Sequence, residues 1–314
     1  MLARVAETIY WMTRQMERAE NISRFLEVNL NFLLDQPIDV ADPWEPLVRV
    51  TGDTQWYNEN YDGFSAQNVV QFLAFDSNYI NSMVSSLRLA RENARGIREV
   101  LSSETFEQVN DFYHFLRDAA SEGREPTSDF FDQVRRKSLL WNGILDATMS
   151  HDQRWHFANL GRLMERADKT SRILDVKYFN LLPRVEDVGT ALDDLQWSAL
   201  LYAISGFEAY RREHHMIDID KVIDFFVFDR KFPRSIFACI KGAQWSLEQI
   251  ESEHTKPSGA ACEKLKSLSE RLANSSVEQL HQTGMHEFID QFQIDLNDVG
   301  LALNSDYFHA FAQS

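Results

Sequence analysis

The sequence predicts an all-α fold, a helical bundle built from two pseudo-twofold-related helical repeats with a long first helix in each. Three observations support this class. A stretch of 21 residues occurs twice, its apolar residues follow helical spacing, and turn-forming residues are scarce. The chain has only 12 Gly and 7 Pro among 314 residues, too few for the many turns of a sandwich of short strands. No alternation of apolar and polar residues is long enough to predict a strand.

The repeat defines the domain organisation. Residues 14–34 read RQMERAENISRFLEVNLNFLL and residues 162–182 read RLMERADKTSRILDVKYFNLL, with 11 of 21 positions identical. The likeness continues to residues 69–82 and 222–235, where the offset between the copies has grown from 148 to 153 residues. A repeat of this length indicates a duplicated structural unit. We therefore predict a first helical repeat over 1–150, a second over 151–314, and one compact domain formed by both.

Each copy is predicted to begin with a long helix, the first over residues 2–34 and the second ending at Pro183. Apolar or small residues recur at alternating spacings of four and three, which places them on one face of a helix. In the first copy they are Val5, Ile9, Met12, Met16, Ala19, Ser23, Leu26, Leu30 and Leu33. In the second copy they are Phe157, Leu160, Met164, Ala167, Ser171, Leu174, Tyr178 and Leu181.

Shorter helices are predicted after each long one. They cover residues 45–60, 65–75, 79–101, 104–121, 128–150, 193–214, 219–228, 234–254, 260–274 and 277–311. Asp76 and Asp229 follow two of the short helices and are predicted to cap the helix that comes next, because Asp is a favoured N-cap residue.

Composition limits the partners and the compartment. A net charge of −16 argues against nucleic acid or an anionic membrane as the main partner. No stretch is apolar enough to span a membrane, and charged residues near the N-terminus interrupt any signal-peptide pattern. The two Cys and nine His form no recognisable metal motif. We therefore expect a cytoplasmic protein with no membrane contact, no metal and no cofactor.

Two Glu-Arg pairs are the first candidates for chemistry. Glu17 and Arg18 flank the apolar face of the first long helix, and Glu165 and Arg166 occupy the same places in the second. Small Ala residues on that face allow a neighbouring helix to approach, so these charges should be partly buried and paired. One interpretation is an ion-pair network that fixes helix register. The alternative is a site in which Glu and Arg hold a carboxylate or phosphate.

A basic stripe is the second candidate. It consists of residues at spacings of three and four, Arg88, Arg91, Arg95 and Arg98. The aligned positions of the second copy are Lys241, Gln244, Glu248 and Glu251. Three interpretations are open, namely a solvated face, ion pairs between the two copies, and a concave anion site.

A third candidate occurs only in the second copy. Glu208, Arg211 and Arg212 stand where the first copy has uncharged or acidic residues. Glu208 and Arg212 are four residues apart, which favours an ion pair along one helix. The alternative is an Arg cluster that recognises an acidic group.

Several segments closely resemble the Alpha-E family, all-helical bacterial proteins named for a Glu-Arg motif. They are RVAETIYWMTRQMERAENISRFLEVN from Arg4, LARENARGIRE from Leu89, GRLMERADKTSRILDVKY from Gly161 and WSALLYAISGFEAYRR from Trp197. The resemblance covers nearly the whole chain. Thr13 departs from it, because the family usually has Gly there, and we expect a slightly wider helix contact at Thr13.

The resemblance implies genomic association with circularly permuted ATP-grasp ligases and with transglutaminase-like proteins. It therefore implies a system that makes, modifies or trims a peptide or amide, and it brings no established activity. Its motif positions in this chain are Glu17, Arg18, Glu165, Arg166, Arg91, Glu92, Asn93 and Arg95.

Two functions follow as hypotheses. The first is an accessory or interaction subunit of such a ligase-linked system, without catalysis of its own. The second is a helical ligand-binding or catalytic domain, in which Arg neutralises a carboxylate or phosphate and Glu acts as a base or orients Arg. The catalytic residues are not predicted. The candidate ligand-binding residues are Glu17, Arg18, Asn21, Arg24, Arg88, Arg91, Asn93, Arg95, Glu165, Arg166, Arg172, Glu208, Arg211 and Arg212.

Overall fold

A computed structural model describes residues 1–34, 44–124, 126–180, 191–253 and 259–308. Within these residues the fold is all-α, with 15 α-helices and no strand. The helices are α1 (Ala3–Leu34), α2 (Glu45–Arg49), α3 (Thr54–Asn60), α4 (Ala66–Val70), α5 (Met83–Gly96), α6 (Ser103–Ser121), α7 (Ser128–Thr148), α8 (Gln153–Asn180), α9 (Ala191–Ala203), α10 (Phe207–Glu213), α11 (Ile219–Val227), α12 (Ile236–Ser252), α13 (Ala260–Asn274), α14 (Val277–Thr283) and α15 (Met285–Leu303). Short π-helical turns follow α4 at Gln71–Phe75 and α15 at Asn304–Phe308.

The two predicted long helices, α1 and α8, pack against each other at the centre of the fold. Helices α5, α7 and α9 also contact α1, while α12 and α15 contact α8. The predicted apolar faces form this contact, with Ile9, Met16, Leu160 and Leu174 fully buried. Apolar burial therefore sets the orientation of both helices. The predictions at Leu33, Tyr178, Leu181 and Pro183 concern side chains or positions outside the described part of the chain.

Helices α1 and α8 approach each other closely at Gly161. A Cβ atom added there would lie 2.4 Å from the carbonyl oxygen of Tyr10 and 2.5 Å from Oγ1 of Thr13. Thr13 is fully buried, and its hydroxyl donates a hydrogen bond of 3.0 Å to the carbonyl of Tyr10. The contact consequently has room for glycine at position 161 and for no side chain.

Three helices predicted as continuous are interrupted, each at a residue with positive φ. The interruptions are Gly52 (80°) within 45–60, Ser205 (53°) within 193–214 and Gly284 (99°) within 277–311. A residue in this backbone region cannot continue a right-handed helix. Each predicted helix is therefore two helices joined by a turn, α2 with α3, α9 with α10, and α14 with α15.

The predicted caps at Asp76 and Asp229 are wrong. Ser82 caps α5 by accepting a hydrogen bond from the amide of Ser85, and Ser235 caps α12 in the same way. The two aspartates instead accept hydrogen bonds from amides two residues later, in the turns that precede these caps. The predicted helix over 79–101 is accordingly shorter at both ends, because it begins at Met83 and ends at Gly96.

The other predicted short helices are confirmed to within a few residues, and 65–75 comprises α4 and its π-helical turn. In the described segments, every helix is too short or too polar to cross a membrane.

Candidate functional site

A largely buried group of polar and charged residues, the first network, joins α1 to α8 and to the segment before α12. Its members are Glu17, Glu20, Asn21, Arg24, Arg166 and Arg234. Arg166 donates from Nε and Nη2 to the two oxygens of Glu17, both at 2.8 Å. Arg234 donates to Glu17 at 3.3 Å, to Asn21 at 3.2 Å and also to Glu20. Spacings of three and four residues place the α1 members on one helix face.

The remaining groups of the first network bond within α1, to the turn after α9 and to α7. Arg24 donates to Glu20 at 2.8 Å and to the hydroxyl of Ser205 at 2.6 Å. Ser138 of α7 donates to the other oxygen of Glu20 at 2.6 Å. Both carboxylates are at most 1% exposed. The charged groups of the first network are thus paired mainly with one another.

The pKa values in the first network reflect this pairing. Burial alone would raise the pKa of Glu17, but the guanidiniums of Arg166 and Arg234 outweigh burial and hold it below the ordinary value. Burial and the nearby Arg234 lower the pKa of Arg24 to about 10. Glu17 is therefore ionised and paired at neutral pH, which suits a structural role better than that of a base.

A second network lies on the same two helices and opens to solvent. Its members are Arg14, Arg18, Glu165, Asp168, Lys169 and Arg172. Glu165 is fully buried and accepts hydrogen bonds of 2.7 Å from Nε of both Arg14 and Arg18. Arg18 also donates to the amide oxygen of Asn81 at 2.6 Å. Glu165 of α8 is thus bonded to arginines of α1, just as Glu17 of α1 is bonded to Arg166 of α8.

Asp168 holds the other two cations of the second network. Lys169 donates to it at 2.9 Å, and Nε of Arg172 lies 3.1 Å from each of its oxygens. Arg172 also donates from Nη1 to the carbonyl of Val50 at 2.6 Å. Four cations therefore surround two carboxylates.

A cavity of about 220 Å³ adjoins the second network, between α1, α8 and the segments that contain Val50 and Asn81. The side chains of the four cations are 13–21% exposed, whereas Arg24 of the first network is 3% exposed. Arg166 of the first network is 11% exposed, so the clearer distinction is that the second network lines this cavity.

Ionisation of the second network follows from burial and mutual attraction. Burial would raise the pKa of Glu165, but Arg18, Arg14 and Lys169 outweigh it and hold that pKa well below the ordinary value. For Asp168, burial is likewise outweighed by Lys169 and Arg172, and the pKa is lowered. Burial lowers the pKa of Lys169 despite its two carboxylate neighbours. A further anion in the cavity would favour the charged form of this lysine.

These shifts predict an acid-sensitive contribution to stability. A carboxyl whose folded-state pKa is depressed stabilises the fold fully above its unfolded pKa, about 4.5 for Glu165 and 3.8 for Asp168. This contribution is lost as pH falls through the lower, folded-state pKa. We expect the free energy of unfolding in urea to fall below pH 4.5, with a shallower slope in Glu165→Gln. Equal slopes for both proteins would contradict the assignment.

The basic stripe lies apart from both networks, on the outer side of α5. Arg91 donates to Asn110 of α6 at 2.6 Å and pairs with Glu92, and Arg95 also pairs with Glu92. Arg88 is exposed and Asn93 is half-buried. Arg98 lies beyond the end of α5, with its guanidinium 4.1 Å from the centroid of the Phe106 ring.

The proposed partners of the stripe in the second copy bond to one another instead. Lys241 donates to Gln244 at 3.2 Å, and Gln244 donates to Glu248 at 2.6 Å, all on α12. Within the described segments, no ion pair joins the stripe to α12. The stripe therefore resembles a solvated face more than an inter-repeat contact.

Glu208, Arg211 and Arg212 lie exposed on α10. Over the residues that the structure describes, no ion pair joins Glu208 to Arg212, so the predicted pair is wrong. Arg211 lies instead over the ring of Phe207, with 5.9 Å between the guanidinium carbon and the ring centroid. Exposed pairs at this spacing contribute only a few tenths of a kcal/mol, so solvation competes with them easily.

The structure thus places half of the candidate ligand-binding residues in the two networks. The candidates on or near α5 and on α10 lie apart from both networks. Sequence reasoning missed Arg234 and Lys169, although the repeat carried a signal for both. Arg234 aligns with Asn81 at the offset of 153, and Lys169 aligns with Asn21 at the offset of 148. In each pair one copy has a cation where the other has an amide. The two networks differ at these positions.

The fold and the two networks define a class, an all-helical domain that pairs Glu and Arg between two long helices. The family model for Alpha-E, described as a predicted alpha-helical domain with a conserved ER motif, matches residues 1–308. The chain belongs to the Alpha-E family.

The comparisons with individual proteins give distant relatives. An uncharacterized protein of Mycobacterium bovis and an uncharacterized protein of Mycobacterium tuberculosis are each 22% identical to this chain over 302 residues. The match covers 89% of this chain and 33% of each relative, so the chain spans about a third of the length of the curated relatives it matches. No solved structure matches the chain.

Proposed function

We propose that this chain is a non-catalytic accessory subunit of a system that makes or modifies a peptide or amide. In this proposal it acts in the bacterial cytoplasm and binds a circularly permuted ATP-grasp ligase and a transglutaminase-like protein. The main support for this proposal is that the Glu-Arg pairs bond to each other across α1 and α8. Charges that are buried and mutually paired fix helix register, and they are poorly placed to act on a substrate.

The symmetry of the contacts supports a duplicated scaffold. We infer that 1–150 and 151–314 are pseudo-twofold-related repeats within one compact domain. The contacts that occur in matched pairs are Arg18–Glu165 with Arg166–Glu17, Arg24–Glu20 with Arg172–Asp168, and Arg24 to the carbonyl of Ala203 with Arg172 to the carbonyl of Val50. The residues of each matched pair correspond at offsets of 148 or 153 in the sequence. Such reciprocity is expected when two copies of one unit pack against each other.

The size of the relatives also supports an interaction role. This chain matches about a third of each mycobacterial protein, so in those proteins a similar segment shares one polypeptide with about twice its own length of other sequence. A segment that is covalently joined to others has a high effective concentration next to them. We infer that this chain likewise contacts its partners through its surface.

Co-expression with a circularly permuted ATP-grasp ligase from the same organism tests the proposal. A tagged form of this chain should retain the ligase through gel filtration as a complex of defined stoichiometry. Recovery of the two proteins as separate species, at concentrations of about 10 µM and physiological salt, would contradict an accessory role.

A motif variant separates a structural role from a direct functional one. Arg166→Gln leaves Glu17 with Arg234 as its remaining cationic partner, so the melting temperature should fall. Well below that temperature, the variant should still bind the ligase. An unchanged melting temperature combined with loss of the complex would show that the Glu-Arg pair acts in the interface and not in the scaffold.

A further inference from the structure

We propose that the cavity beside the second network binds a small organic carboxylate. Its carboxylate group is held by Arg14, Lys169 and Arg172, and its apolar part lies against the hydrophobic wall of the cavity. This site is additional to the proposed partner-binding function and does not depend on it.

The charges around the cavity sum to an excess of one positive charge. The four cations of the second network face Glu165 and Asp168. The third nearby carboxylate is that of Asp53, which accepts hydrogen bonds from two residues of the cavity wall, Tyr79 at 2.6 Å and Asn81 at 3.3 Å. A fourth carboxylate near Arg172, that of Asp175, is bonded to His286. The remaining four positive groups and three negative ones leave room for one monoanion. An excess cation in a partly buried site is stabilised by such a ligand, even in a chain with a net charge of −16.

Arg14, Arg172 and Lys169 each have hydrogen-bond donors at the cavity that are not used in the ion pairs described above. Arg14 uses Nε for Glu165 and Nη1 for the hydroxyl of Tyr10, while Arg172 uses Nε for Asp168 and Nη1 for the carbonyl of Val50. For Nη2 of both arginines, the described part of the chain supplies no acceptor. The ammonium group of Lys169 has three protons and makes one hydrogen bond, to Asp168. These donors can bind a carboxylate through charge-assisted hydrogen bonds.

The two networks differ in the cation that their second arginine-bearing helix or turn supplies. In the first network the guanidinium of Arg234 lies among Glu17, Glu20 and Asn21. The residue that aligns with Arg234 is Asn81, whose shorter side chain cannot reach as far. Lys169, which replaces Asn21, supplies a cation from α8 instead. The second network therefore keeps a positive charge but lacks the side chain that fills the first.

The apolar lining decides between an organic anion and a bare inorganic one. Five hydrophobic residues contribute to the cavity wall, namely Ile22, Phe25, Leu47, Val50 and Leu73. Inorganic phosphate would leave this surface without a partner, whereas a carboxylate with a short hydrocarbon chain would cover it. The volume of about 220 Å³ is below the roughly 300–1,000 Å³ of pockets for drug-sized ligands, so the ligand is small.

Isothermal titration calorimetry of the full chain with sodium hexanoate tests this proposal. Hexanoate should bind saturably at one site, hexanamide should not bind, and inorganic phosphate should bind at least tenfold more weakly than hexanoate. No saturable binding of hexanoate, or equal binding of hexanamide, would overturn the proposal. Phosphate binding as tight as that of hexanoate would overturn the part that assigns an apolar ligand.

Matched lysine variants locate the site. Lys169→Gln should weaken hexanoate binding at least tenfold, because it removes the positive charge and keeps a donor for Asp168. Lys241→Gln removes an exposed lysine on α12 and should leave binding unchanged. The double substitution Asn81→Arg with Lys169→Asn keeps the net charge and reproduces the residue pair of the first network, so it should fill the cavity and abolish binding. Wild-type affinity in folded Lys169→Gln or in the folded double variant would overturn the assignment.

Discussion

Replacement of Glu165 by Gln should lower the free energy of unfolding by about 3–5 kcal/mol, the largest effect of a single substitution that we expect in this protein. Glu165 is fully buried and accepts three hydrogen bonds from Arg14 and Arg18, with Lys169 at 3.7 Å. Gln has nearly the same shape, so packing is kept while the negative charge is lost. Arg14 and Arg18 then remain partly buried without the carboxylate that they share.

Urea denaturation followed by circular dichroism measures this effect, and Glu92→Gln is the matched control. Glu92 also pairs with two arginines, Arg91 and Arg95, but its side chain is 49% exposed. Solvent screens such pairs, so we expect a change within about 0.5 kcal/mol. If both variants lost the same small amount, burial of the Glu-Arg network would not be what stabilises the α1–α8 contact.

Helix periodicity made the architecture predictable, while the breaks between helices depend on single residues. Apolar spacing predicts α1 and α8 because an amphipathic helix must bury one face. The interruption at Ser205 is invisible to this pattern, since its φ of 53° is adopted by a residue other than glycine. Tertiary contacts hold it there, including the hydrogen bond from Arg24 to its hydroxyl. Local sequence carries no signal for a partner 181 residues away.

The candidate site was predicted in part for a related reason. Residues on one helix face can be grouped from their spacing, which placed Glu17 with Asn21 and Arg24. Spacing does not say which face meets another helix, so the exposed arginines of α5 and α10 were equally good candidates. Arg234 enters the first network from a turn, where no periodicity applies. The alignment of the two copies did show that Asn81 stands where the second copy has Arg234. Asn81 is the residue of this pair that lines the cavity.

Both networks depend on the same backbone contact between α1 and α8. Arg14 and Arg18 reach Glu165 only if the two helices stay close, and at Gly161 their contact has no room for a Cβ atom. Separation of the helices by even a fraction of an ångström would lengthen charge-assisted hydrogen bonds that are now 2.7–2.8 Å. Packing and electrostatics are therefore coupled along this interface, and a change at Gly161 should affect more than its own volume.

Gly161→Ala should lower the free energy of unfolding by about 1–3 kcal/mol from overpacking alone. The added methyl group would lie 2.4 Å from the carbonyl oxygen of Tyr10, a backbone atom that cannot rotate away. This clash can be removed only if the helices move apart, and that movement weakens the neighbouring ion pairs. We therefore expect a loss at the upper end of this range, measured as a lower urea midpoint with an unchanged m-value.

Gly143→Ala is the control that separates crowding from the intrinsic effect of alanine in a helix. Gly143 lies inside α7, and a Cβ atom there would have no neighbour within 4 Å. Alanine is favoured over glycine in a helix by roughly 0.5–1 kcal/mol, so this variant should be slightly more stable than the wild type. Since the same preference acts at position 161, the difference between the two variants measures the cost of forcing α1 and α8 apart. Equal stabilisation by both substitutions would show that the α1–α8 contact tolerates a methyl group, and the networks would then not require the observed spacing.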